Sequence, residues 1–126
     1  MNSLRFGDMY KKMVTISSPH VNVDMFKDFI FKIGLKEKSL NKLLDVFKSK
    51  VGSDVESYDL IKCAKISNTP TLILHCHDDR DIPVECSKES IKHFKKGKLI
   101  ITKGLGHRRI LRNKSIVKSV VNFLKN

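Results

Sequence analysis

The apolar and polar positions divide the chain into short strands and amphipathic helices. Val14, Thr15 and Ile16 form a β-branched run that stops at Ser18-Pro19, which predicts a short buried strand over 12–19. The period then changes. Met25, Phe26, Phe29, Ile30 and Ile33 recur at helical spacing and end at Gly34. Leu40, Leu43, Leu44 and Phe47 predict a second helix with its stop at Gly52, and a polar stretch then leads to a short helical or turn segment over 60–64. Pro70 introduces the clearest strand, Thr71 to Leu74, whose unbroken apolar run suits burial on both faces. Pro83 fits the first turn of a helix through about Lys96, with Ile91 and Phe94 toward the sheet and Gly97 as its end. Lys98 to Thr102 is the next strand and 103–112 a loop. Asn113 caps a last helix whose packing stripe is Ile116, Val117, Val120, Val121 and Leu124.

From Pro70 onward the order is strand, helix, strand, helix, and right-handed crossovers make such strands parallel. Function is then expected in the loops at their carboxyl ends. Both polar clusters occupy that position. One holds His75, Cys76, His77, Asp78, Asp79, Arg80 and Asp81; the other holds Gly104, Leu105, Gly106 and His107.

With 126 residues and 40% hydrophobic content, the chain is sized for one domain with an ordinary core. No apolar run is long enough to cross a bilayer, and the first residues lack the hydrophobic centre of a secretory signal, so a cytoplasmic location and no membrane partner are expected. Three cysteines without a short CxxC spacing argue against a disulfide framework or a structural zinc site. The net charge of +12 comes mostly from lysines spread along the chain. No RGG run, zinc finger or RNA-recognition aromatic pair accompanies them, so no specific nucleic-acid partner is expected.

Asp79 and His107 have the residue types and loop placement for the carboxylate and imidazole of a hydrolytic triad, and Gly104 and Gly106 permit the tight turn that brings the ring back to the sheet. A rival is metal chemistry. His75-x-His77-x-Asp79 resembles the opening of the metallo-β-lactamase-type signature HxHxDH, although Arg80 stands where its last histidine is expected.

TPTLILHCHDDRDIPVE, followed by KLIITKGLGHRRIL and a closing helix, resembles the C-terminal part of the α/β-hydrolase family. There the penultimate strand leads into a pattern close to HGxxDxxVP, and the last strand into a G-x-G-H turn. The resemblance implies Asp79 as the triad acid and His107 as general base and acid; Cys76 takes the place of the pattern's glycine, and Ile82 that of its valine. It further implies a fold of the α/β class, the C-terminal portion of a parallel sheet with about three strands, flanking helices and a helical lid segment. On that reading 1–126 is a partial hydrolase domain, with lid or covering helices in 20–68 and the strand-helix-strand-helix unit in 70–126. The family's nucleophile elbow, G-x-S-x-G, does not occur. Gly7 is followed by Asp8 and Met9, and Ser17 and Ser18 read as a strand-end turn.

The implied function is that of a carboxyl-ester or related acyl hydrolase of the serine type, present as a C-terminal fragment inactive alone. A small-molecule ester or amide is its substrate when the missing half is supplied, and no cofactor is called for. Self-association through an exposed sheet edge is a further expectation. The alternatives are a non-catalytic binding or structural module, and a metal-dependent hydrolase using His75, His77 and Asp79.

Overall fold

A computed structural model describes residues 10–126. The expectation about Gly7 to Met9 falls outside them. Strand β1 spans Met13–Ile16 and is followed by helix α1, Asn22–Lys32, and helix α2, Glu37–Val51. A 3-10 turn, Val55–Tyr58, precedes helix α3, Leu60–Ile66. Strand β2, Thr71–Cys76, helix α4, Val84–Ile91, and strand β3, Gly97–Thr102, follow. The short helix α5, Gly106–Arg109, continues into a 3-10 turn, Ile110–Arg112, before the last helix, α6, Lys114–Lys125.

The described strands form one parallel sheet in the order β1-β2-β3, with Met13 opposite Thr71 and Thr71 opposite Gly97. β2 is therefore central, and every one of its six residues is buried. Successive side chains of a strand point to opposite faces. On one face, Ile73 packs with Leu60, Cys63 and Ala64 of α3 and with Phe94. On the other, Leu72, Leu74 and Cys76 pack with Ile110 and with Ile116 of α6. The expected parallel α/β sheet is thus the observed one.

Several local expectations change. β2 runs two residues past Leu74, because His75 and Cys76 both find polar partners that permit their burial. α4 ends at Ile91, and Gly97 opens β3 rather than closing the helix. A Cβ there would lie 2.5 Å from Ile91 Cδ1 and 2.8 Å from Phe94 Cβ, so this glycine marks a close approach of strand to helix. The segment expected as a loop over 103–112 contains α5 and a 3-10 turn.

Helix α6 has the expected cap, with Asn113 Oδ1 accepting from the N–H groups of Ser115 and Ile116. Its packing stripe is Ile116, Val120 and Phe123, while Val117, Val121 and Leu124 are exposed. Likewise in α1 only Ile30 of the expected apolar set is fully buried, and Phe29 is exposed, as is Ile33 just beyond the helix. Among the described residues no helix is long and apolar enough to cross a membrane.

Candidate active site

Two loops leave the carboxyl ends of the neighbouring strands β2 and β3, and they bring Asp79 and His107 together. The loop after β2 turns on Asp79 itself, whose Oδ1 accepts from the backbone N–H groups of Asp81 and Ile82, each at 2.9 Å. This self-made turn aims Oδ2 across the sheet end. There it lies 2.9 Å from His107 Nδ1. The Asp79 side chain is closed off from solvent and that of His107 is 35% exposed, so the pair has a buried acid and an accessible base.

An ionised carboxylate offers only acceptors, so the 2.9 Å contact puts the imidazole proton on Nδ1 and leaves Nε2 as the basic nitrogen. That arrangement can orient an imidazole and stabilise its protonated form. Burial pushes the Asp79 carboxyl upward. The Ile82 N–H, His107 and the Asp81 N–H outweigh it, and Asp79 is held below the usual carboxylate range.

His107 reaches its place through two residues in the left-handed region, Gly104 with φ 77° and Gly106 with φ 62°, where a side chain would be strained. The expectation of a glycine-dependent turn is met, and α5 begins at Gly106. Arg108, Arg109 and Arg112 are exposed; Arg109 Nε donates to Leu105 O at 3.2 Å, which ties the same turn.

His75 occupies the opposite face of β2 from Cys76. Its Nδ1 lies 2.6 Å from Ser87 Oγ and its Nε2 2.9 Å from Ile82 O. A carbonyl can only accept, so Nε2 carries the proton and Nδ1 accepts from the serine. Nε2 also approaches Asp79 Oδ2 at 3.4 Å. Ser87, His75 and Asp79 thus line up in the order of a hydrolytic triad, but Ser87 and His75 are shut away from solvent. They support the carboxylate from beneath the sheet end.

This engagement corrects the metal reading of His75, His77 and Asp79. Both nitrogens of His75 are in use, and His77 is exposed beyond the strand. The described residues whose potential ligand atoms do lie within 4.8 Å of one another are Asp79, Asp81 and His107. Two of these are already bonded to each other, and the Asp81 carboxyl is exposed.

Ser17, at the end of β1, has a left-handed backbone with φ 50° and a buried hydroxyl with no hydrogen-bond partner among the described residues. A serine nucleophile must reach its base by a hydrogen bond, and Ser17 makes none to His107. Sequence reasoning did not find His75 and Ser87 as supports, nor the bonds of Cys76 and Asp78. Strand parity, with His75 beside Ile73 and Cys76 beside Leu74, carried a signal for the two strand residues alone.

The sequence profile of the α/β-hydrolase family described as TAP-like protein matches residues 51–126, more than half of the chain. The chain belongs to this TAP-like family of α/β-hydrolases. Its fold is similar to that of MGS-M2, an α/β-hydrolase from a Medee basin deep-sea metagenome library, with TM-score 0.64 and 16% identity over 98% of this chain and 61% of that one. Est1E from Butyrivibrio proteoclasticus superposes with TM-score 0.60 and 15% identity, over 98% of this chain and 55% of its own. The meta-cleavage product hydrolase CumD from Pseudomonas fluorescens gives TM-score 0.63 and 15% identity, over 98% and 58%. The chain therefore spans less than two thirds of the length of these structures. No curated protein matches the sequence.

Proposed function

We propose that this chain supplies the acid and base of a serine-type acyl hydrolase and is inactive without a nucleophile from outside its own sequence. The carrying observation is the 2.9 Å bond from His107 Nδ1 to the buried Asp79 carboxylate, with the histidine accessible. In the complete reaction a serine hydroxyl attacks an acyl carbonyl, and His107 Nε2 takes its proton. The imidazolium returns that proton to the leaving group; water then attacks the acyl-enzyme with His107 again as base. Asp79 keeps the ring in the tautomer this sequence needs.

A cavity of about 670 Å³ lies between α1 and the loop after β2, lined by Val21, Met25, Phe29, Ile82 and Pro83. Its size is that of a small-molecule pocket, and Asp81 belongs both to its wall and to the cluster with Asp79 and His107. This placement supports a substrate with a modest apolar portion, and a lid role for α1 and α2. Among the structural relatives, CumD is named a hydrolase and Est1E is known with ferulic acid bound, which agrees with a hydrolase acting on a small molecule.

The test is p-nitrophenyl acetate hydrolysis by the purified chain. No turnover above the uncatalysed rate is expected. Turnover that survives Ser17→Ala and Ser18→Ala but disappears in His107→Ala would require another nucleophile within the chain and would overturn the reading.

A further inference from the structure

We propose that Cys76 is a positioning residue, whose sulfur together with the Asp78 carboxylate clamps the turn that presents His107 to Asp79. Cys76 is the last residue of β2 and fully buried. Its Sγ donates to Asp78 Oδ1 at 3.1 Å and accepts from the backbone N–H groups of Leu105 and Gly106 at 3.3 and 3.2 Å. The N–H of Gly104 donates to the same Asp78 oxygen at 2.6 Å. Three successive N–H groups, immediately ahead of His107, therefore end on two acceptors that are themselves joined.

The backbone explains why they converge. Gly104 and Gly106 are left-handed, and Leu105 between them is right-handed with φ −99° and ψ −28°. Alternation of this kind turns successive N–H groups toward one concavity, a backbone nest that attracts an anion or a polarisable acceptor. In this chain the concavity is filled from within, by sulfur and a carboxylate oxygen. The Asp78 carboxyl is correspondingly held below its usual range, first by the Cys76 thiol and then by the Gly104 N–H. Because His107 follows Gly106 directly, a shift of the turn passes to the ring, and small misplacements of an acid–base group are costly in rate.

The catalytic meaning of the clamp rests on the proposed pairing of Asp79 with His107. Its test needs no turnover, so failure of the clamp and failure of the hydrolase reading are separable. In the full chain labelled with nitrogen-15, the hydrogen-bonded Nδ1 proton of His107 should give a downfield resonance that vanishes in Asp79→Ala. In Cys76→Ala that resonance should broaden away. Amide exchange at Leu105 and Gly106 should rise about tenfold, as expected for N–H groups that lose a buried acceptor. The β2–β3 amides should keep their protection. Cys76→Ser retains a donor and an acceptor and should restore the resonance.

Retention of the resonance and of wild-type exchange in Cys76→Ala would overturn the proposal. So would loss of protection along the whole β2–β3 ladder, which would make Cys76 a packing residue alone. Should Cys76→Ala fail to fold, Asp78→Ala changes an exposed side chain, and faster exchange confined to 104–106 supports the clamp. Unchanged exchange there would overturn it.

Discussion

Asp79 is the residue on which the sheet end converges. It accepts two backbone N–H groups on one oxygen and meets two histidines with the other. Its folded-state carboxyl is held below the ordinary range, so the unfolded chain takes up its proton first as pH falls. The stability it contributes is fully present above the unfolded value of about 3.9 and is lost as pH drops through the lower folded value. Asp79→Asn should therefore lower Tm at pH 6 to 7, and the gap to the parent protein should close on acidification below about pH 4. A gap independent of pH in thermal melts would count against this account. The residue types and loop positions made the pairing of Asp79 with His107 legible in the sequence. Hydrogen bonds between distant segments, such as those from Leu105 and Gly106 to Cys76, leave no periodic trace and were not.

Among the elements, strand and helix order was legible because burial on both faces gives β2 an unbroken apolar run, while the helices carry a 3.6-residue period. Which part of each apolar stripe is covered was not. In α6, Ile116, Val120 and Phe123 meet the sheet, whereas Val117, Val121 and Leu124 share the period and remain exposed. Spacing specifies a face but not the width of what covers it. Gly97 shows a similar limit: a glycine after a helical run reads as a stop, while its place here is set by the approach of β3 to Ile91 and Phe94. Gly97→Ala must displace Phe94 Cβ, which is fixed to backbone, and overpacking of this kind costs about 1–3 kcal/mol. Urea unfolding should show that loss as a lower midpoint with an unchanged m-value; a neutral substitution would mean that the contact relaxes freely.

At the scale of the whole molecule, a parallel sheet with helices on both faces places the loops that carry Asp79 and His107 side by side at the carboxyl ends of β2 and β3. Membership in the TAP-like family and superposition on several α/β-hydrolases agree with that arrangement. The chain nevertheless matches only 61% of the length of MGS-M2, and no G-x-S-x-G occurs in its sequence. The proposed function is a division of labour, with the oriented base in this chain and the nucleophile outside residues 1–126. A fluorophosphonate probe tests it most directly, because it marks an activated serine without requiring turnover. Intact-mass spectrometry of the treated chain should show no adduct. One adduct per chain, located on a serine and lost in His107→Ala, would contradict the account.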